Sequence, residues 1–330
     1  MKQSNWTQVG KLSGQLSGPL IAAFLAIFAA HSTSGAQSTP RENPLAGRWD
    51  LTITTPTGPL PSWIEVSFPG GDPRVLFVGV MDHAVPPKDL QIKGSEIQFL
   101  SPKGEEGFAH DMLFKGKLAG DRLEGTVTDS TGTTWPFTGT RAPRLDKKSQ
   151  PQWGAPIKLF NGVDLTGWRL NDPTRPGTWK VENGELITTG RGSDLVSLQK
   201  FDDFKLHVEF KNAPSTNSGV YLRGRYELQI ETDEGANPGE FHTGGIYGFI
   251  APNPEQPRVS NVWQTFDVTL IGRRLTVLQN GITVINDREI PGITGGALDS
   301  NEALPGPIYL QGIENGPVAF RNIWIQPAKK

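Results

Sequence analysis

The sequence contains no cysteine. Disulfides, thiolate metal sites and a thiol nucleophile are therefore excluded, as is a lipid-modified N-terminal cysteine. Histidine is scarce, with 5 in 330 residues, and His83, His110 and His207 lack His-x-x-His or comparable spacing. No zinc site is indicated on that pattern. Charge of one sign is also missing: 32 Lys and Arg stand against 34 Asp and Glu, for a net charge of −2. Without a basic tract to pair with phosphates, nucleic-acid binding is not expected. The chain has no Gly-x-Ser-x-Gly, phosphate-loop or dinucleotide fingerprint, no internal repeat and no long amphipathic helix.

Long apolar runs are absent apart from one near the start. Lys2 and Lys11 precede the short run Pro19 to Ala30, and Ser34-Gly35-Ala36 supplies small residues at a cleavage position. That order reads as a signal peptide over residues 1–36, cleaved near Ala36, which places the mature protein in the periplasm or outside the cell. The run is short for a membrane span, and an uncleaved anchor helix is the alternative. Removing residues 1–36 takes away two lysines and no acid, leaving −4.

What is abundant is turn chemistry, with 39 glycines and 27 prolines. Both interrupt helices, so composition predicts an all-β protein. Alternating segments begin at Gly47 and include Arg48–Thr54, Trp63–Phe68, Val75–Val80, Glu96–Leu100, Met112–Leu118, Arg122–Asp129 and Thr134–Thr140. They predict a small β-meander or half-barrel over residues 45–143. An aperiodic linker follows at 144–155, within a stretch from Arg141 to Pro156 that holds Pro143, Pro151 and Pro156, and a second domain occupies 156–328. Its expected strands include Phe204–Lys211, Gly219–Arg223, Tyr226–Glu231, Gly245–Phe249 and Ile308–Gly312, with an Asn280-Gly281 hairpin turn farther on.

Alternation assigns these strands an apolar face and an opposite face. Phe204, Leu206, Val208 and Phe210 leave Glu209 on the other side. Val220 and Leu222 leave Tyr221 and Arg223; Tyr226, Leu228 and Ile230 leave Glu227, Gln229 and Glu231; Ile308 and Leu310 leave Tyr309 and Gln311. If the strands are neighbours, carboxylates, amides, an arginine and tyrosines share one surface, which is the inventory for a polyhydroxylated ligand. A salt-bridged solvated face, with Arg223 paired to Glu227 or Glu231, is the plainer alternative. The segment His242 to Gly248 adds His242 and Tyr247 around glycines that let backbone approach a ligand closely.

At these residues the chain resembles a known family. Leu159-Phe160-Asn161-Gly162-Val163-Asp164-Leu165-Thr166-Gly167-Trp168 resembles the opening signature of the 3-keto-disaccharide hydrolase domain family. Six further segments follow in the family's order: Trp179 to Gly184, Asp203 to Leu206, Asn217 to Gly224, Tyr226 to Ile230, Gly306 to Gln311 and Phe320 to Ile323. The resemblance implies a concanavalin-like jelly roll that binds carbohydrate on its concave sheet. It also implies cleavage of glycosides already oxidised at C3 by a partner dehydrogenase. Asn217, Arg223, Glu227, Gln229 and Gln311 fall on the family's polar motif positions. An acid usually follows that glutamine by three residues, and here the place is taken by Thr232, between Glu231 and Asp233.

An ordinary glycosidase needs two carboxylates about 5–9 Å apart. Glu227 and Glu231 are roughly 13 Å apart along one strand face, whereas Glu209 and Glu227 would suit if their strands were adjacent. A 3-keto sugar needs less: one base near C2, a cation or donor at the C3 oxygen, and an acid for the leaving group. The expected roles are Glu227 or His242 as base, Arg223 for charge stabilisation, and Tyr247 or Glu209 for departure. Asn217, Tyr221, Gln229, Glu231, Tyr309 and Gln311 would bind substrate. No cofactor is required by this reading, although a divalent cation such as calcium could replace Arg223, with Glu227, Glu231 and Asp233 as oxygen ligands. A non-catalytic, lectin-like sugar-binding protein is the alternative.

Overall fold

The computed structural model describes residues 43–104, 110–146, 150–232, 239–312 and 316–329. The expected signal peptide and Asp233 lie outside the described residues. Among these residues no helix is long and apolar enough to cross a membrane.

Turn residues punctuate short alternating segments throughout, and the result is all-β. The first eight strands are Gly47–Thr55 (β1), Gly58–Ser67 (β2), Arg74–Val78 (β3), Lys88–Lys93 (β4), Glu96–Ser101 (β5), Met112–Ala119 (β6), Arg122–Thr128 (β7) and Thr134–Arg141 (β8). They form one antiparallel sheet in the order β3-β2-β1-β8-β7-β6-β5-β4, wrapped around Trp49, Leu51, Phe77, Phe99, Phe114 and Phe137. β4 is an edge strand that turns Leu90 and Ile92 toward the barrel core. Its charged residues Lys88, Asp89 and Lys93 are exposed, a usual way of protecting an unpaired edge.

The remaining strands are Ile157–Lys158 (β9), Trp168–Leu170 (β10), Trp179–Glu182 (β11), Glu185–Thr188 (β12), Leu195–Phe201 (β13), Phe204–Asn212 (β14), Asn217–Leu222 (β15), Tyr226–Glu231 (β16), Gln264–Ile271 (β17), Arg274–Gln279 (β18), Ile282–Glu289 (β19), Gly306–Leu310 (β20) and Val318–Pro327 (β21). They build a jelly-roll sandwich of two sheets. The smaller runs β10-β13-β20-β15-β16; the larger runs β11-β12-β21-β14-β17-β18-β19, with β9 added against β21. Phe204, Leu206, Val208 and Phe210 of one sheet and Val220, Leu228, Ile230, Ile308 and Leu310 of the other meet in a common apolar core. The segment Gly245–Phe249, expected as a strand, instead makes isolated bridges, Ile246 pairing with Leu228 and Ile250.

Barrel and sandwich are packed together. Trp63 and Val78 of the barrel belong to the sandwich's apolar cluster, and the Trp63 ring meets Phe249 edge-on at 5.7 Å. Gly292 is required beneath that indole, because any side chain there would enter the ring. Backbone joins the two parts as well: the Gly296 amide donates to Val80 O at 2.9 Å, and the Ser300 hydroxyl donates to Leu51 O at 2.5 Å.

Candidate active site

The face of the small sheet turned away from the core carries Val196, Tyr221 and Tyr309 as a separate buried cluster. Register places Tyr221 opposite both Glu227 on β16 and Tyr309 on β20. The two tyrosine rings stack at 4.3 Å with an interplanar angle of 13°. Above them opens a cleft of about 750 Å³, lined by Asn217, Tyr221, Glu227, Tyr247, Tyr309 and Gln311 among others. Six expected residues thus converge on one cavity: four from alternation, Tyr247 from the loop, and Asn217 from the family resemblance.

Each end of the tyrosine stack holds a carboxyl group. The Tyr221 hydroxyl lies 2.9 Å from Glu227 Oε2 and 2.9 Å from Gly295 O. The Tyr309 hydroxyl donates to Asp194 Oδ2 at 2.9 Å, while the Gly312 amide donates to Asp194 Oδ1 at 2.7 Å. Gly219 makes room for Glu227, since a Cβ at that position would collide with its carboxyl group. Burial pushes the Glu227 carboxyl up to about 8; the Tyr221 hydrogen bond opposes the rise and the charge of Asp194 adds to it. Burial also raises Asp194, against the Gly312 amide, the Tyr309 hydroxyl and the charge of Arg175. Both phenols are held well above their usual range, mainly by burial. A carboxyl with its affinity for protons raised in this way is a competent general base near neutral pH.

Five expected site residues lie elsewhere. Glu209 is on β14, which pairs with β17 and β21 in the large sheet. There its carboxylate accepts from Arg321 at 2.6 Å and Asn322 at 2.9 Å on the outer surface. Glu209 and Glu227 are therefore on different sheets and cannot form a catalytic pair. Arg223 is not a strand residue but the turn between β15 and β16, with φ of 55°. Its guanidinium is buried against the carbonyl groups of Gly272, Glu302 and Leu304, away from the cleft. His242 sits 2.8 Å from Glu255, and neither residue lines the cavity. Gln229 and Glu231 do face away from the core, but residues 243–245 run along β16 and cover them. The Gly244 amide donates to Gln229 O at 3.0 Å, and the Glu231 amide donates to Thr243 Oγ1 at 2.8 Å.

Sequence reasoning missed Asp194 and the cleft arginines Arg169, Arg175 and Arg191. Asp194 had a usable signal. It lies two residues before Val196 on the same face, immediately ahead of β13, and period-two alternation extended back from that strand reaches it. Arg175 and Arg191 come from the loops flanking β11 and β12, where no period exists to assign a direction. Among the described residues no three His, Asp or Glu side chains are grouped so as to hold a metal ion.

Residues 155–326 match the family model described as the 3-keto-alpha-glucoside-1,2-lyase-like domain. The chain belongs to this family. A curated relative, the 3-keto-disaccharide hydrolase of Bacteroides thetaiotaomicron, is 32% identical over 75 residues, which are 20% of this chain and 26% of the relative. The match thus spans about a quarter of that relative's length. Among solved structures, a candidate glycosyl hydrolase of Parabacteroides distasonis is 27% identical with a TM-score of 0.43, covering 60% of this chain and 98% of that one. The carbohydrate-binding module CBM66 of Bacillus subtilis is 14% identical with a TM-score of 0.35, covering 48% of this chain and 93% of that one.

Proposed function

We propose that this member of the 1,2-lyase-like family cleaves glycosides whose sugar carries a ketone at C3, by elimination across C1 and C2. The observation that carries the reading is the buried Glu227 carboxyl at the cleft, its proton affinity raised and its position held by Tyr221. A ketone at C3 acidifies the C2 proton. Glu227 removes that proton, and the C2–H electron pair passes into the enolate. Collapse of the enolate forms the C1–C2 double bond and breaks the bond from C1 to the leaving oxygen, which takes up a proton. Water then adds across the double bond to release the free keto sugar.

The remaining roles follow from position. We assign stabilisation of the C3 oxygen to the arginines that line the cleft, Arg169, Arg175 and Arg191, in place of Arg223. Tyr247, whose hydroxyl is 3.2 Å from Asp82 Oδ1, is retained as the proton donor to the leaving group. Asn217, Gln311 and Asp194 supply hydrogen-bonding groups for sugar hydroxyls. The substrate implies a dehydrogenase that oxidises the parent glycoside at C3. The leader read in residues 1–36 would place the cleavage outside the cytoplasm.

The test is release of aglycone from a 3-keto-glucoside and from its unoxidised parent, each with and without a chelator. Cleavage of the keto sugar alone, unaffected by chelator, is the expected result. Loss of turnover on chelation would replace the arginine role by a divalent cation. Binding of both sugars without cleavage of either would sink the enzyme reading and leave a sugar-binding protein.

A further inference from the structure

The family match begins at residue 155, so the barrel, β1 to β8, is an addition to the matched domain. Its contact with the cleft is not incidental. The strand order of the small sheet, β10-β13-β20-β15-β16, sets an axis across the floor. Arg169 on β10 and Asp194 before β13 mark one side, and Glu227 on β16 marks the other. Residues 243–247 and the loop around Thr294 flank β16, and the barrel packs on that loop. Tyr221 binds the Gly295 carbonyl, Gly295 packs against the backbone of Asp82, and the Gly296 amide binds Val80 O at 2.9 Å. The barrel segment around Val80 is thus two hydrogen bonds and one close packing contact away from the Glu227 carboxyl.

What the barrel turns into the cleft is apolar. Leu60, Val80 and Met81 line it, facing Ala297 and Leu298 of the sandwich. Met81 is 61% exposed, one of the few large apolar side chains left open to water among the described residues. The carboxylate at this side, Asp299, is held by Arg225 at 2.8 Å. The cavity's volume of about 750 Å³ falls within the range of about 300–1,000 Å³ common for larger small-molecule ligands. One sugar ring on the polar floor would leave the barrel side unfilled.

We propose that the barrel supplies the leaving-group subsite, and that the leaving group is apolar, an aryl or alkyl aglycone and not a second sugar. This inference rests on the elimination reading for its orientation. A polyol against Leu60, Val80 and Met81 would lose hydration without gaining hydrogen bonds. An aryl ring would bury apolar surface on both partners.

The experiment compares full-length wild type with a Leu60→Ser, Met81→Ser double variant. Met81 is exposed and Leu60 is half-buried at the rim of the barrel core, and circular dichroism checks that the variant is folded. The substrates are a phenyl 3-keto-glucoside and a 3-keto-disaccharide of the same linkage. The ratio of their kcat/KM values is expected to favour the phenyl substrate in wild type. It should fall about tenfold in the variant through KM, the size expected from losing roughly one methylene's worth of burial against the ring at each of the two positions. An unchanged ratio overturns the proposal. If wild type cleaves neither substrate, the elimination reading fails, and calorimetric binding of phenyl glucoside against a glucose disaccharide decides the subsite by itself. A wild-type preference for the phenyl ligand that the variant loses supports it, and equal binding overturns it.

Discussion

Replacing Glu227 by glutamine separates the base from the fold. Burial moves its carboxyl from 4.5 to about 8, so the native state holds a proton that the unfolded chain has already released between those two pH values. Stability from this group is complete below pH 4.5, falls as pH rises, and is gone above about 8. At 1.36 kcal/mol per unit the loss is about 1.4 kcal/mol per pH unit and about 5 kcal/mol in all, an upper bound. Asp50, pushed up to about 9 by burial and by Glu302 across the barrel–sandwich contact, contributes with the same sign. The informative quantity is therefore the difference between variant and wild type. Glutamine keeps an oxygen to accept from Tyr221 and has no proton to lose. Thermal unfolding between pH 5 and about 8 should show wild type losing roughly 3 °C more per pH unit than Glu227→Gln, with no further divergence above. Turnover of a 3-keto-glucoside should drop by about 10²- to 10⁴-fold, and the wild-type rate should rise with pH through about 8. Parallel unfolding curves with near-normal turnover in the variant would refute both the buried-acid argument and the base assignment.

Three other substitutions probe the neighbours. Tyr221→Phe removes the hydrogen bond that holds Glu227 down; the alkaline rise in kcat/KM should move upward by about one pH unit, the worth of one hydrogen bond, whereas a purely structural role would leave that midpoint in place. Arg223→Met strands the carbonyls of Gly272 and Glu302, while Leu304 O keeps the Arg225 guanidinium, and should cost about 3 kcal/mol in denaturant unfolding. Its kcat per folded molecule should match wild type, and a loss of several hundredfold would return Arg223 to the site. Glu209→Gln removes the charge from the partly exposed pairs with Arg321 and His207, so unfolding should shift by less than about 1 kcal/mol with turnover retained.

The contrast between Glu227 and Glu209 shows where local pattern stops being informative. Both were assigned correctly to the face opposite the core, because period two follows from strand geometry alone. Which strands share a sheet does not follow. β14 precedes β15 with a short connection, yet the chain crosses the sandwich there, and β14 pairs with β17 and β21 instead. Glu209 was therefore placed on the right face of the wrong sheet. Gln229 and Glu231 were lost for another reason, since residues 243–245 cover that part of β16 by backbone pairing, which side-chain alternation cannot encode. Arg223 failed because the hairpin turn begins one residue earlier than the apolar pattern implied, and a residue with φ of 55° no longer follows strand alternation.

Three of the residues that line the cleft sit inside the ladder β20-β15-β16, where each position is tied to a neighbour on the next strand, unlike Tyr247 on its loop and Gln311 just past β20. Tyr309, Tyr221 and Glu227 are consecutive rungs across it. A catalytic group placed in that way has its position fixed by backbone hydrogen bonds on two strands and its rotamer fixed by the stacked ring beside it. Arg175 and Arg191, carried on loops, have no such constraint. If the elimination reading is right, proton abstraction should therefore tolerate loop changes that substrate binding does not. Shortening the segment 171–178 should raise KM for a 3-keto-glucoside by a larger factor than it lowers kcat, because the loop carries a contact to substrate while β15 and β16 carry the base. A fall in kcat alone would mean that Arg175 acts in the transition state, and the charge stabilisation shared among the three arginines would then narrow to that one.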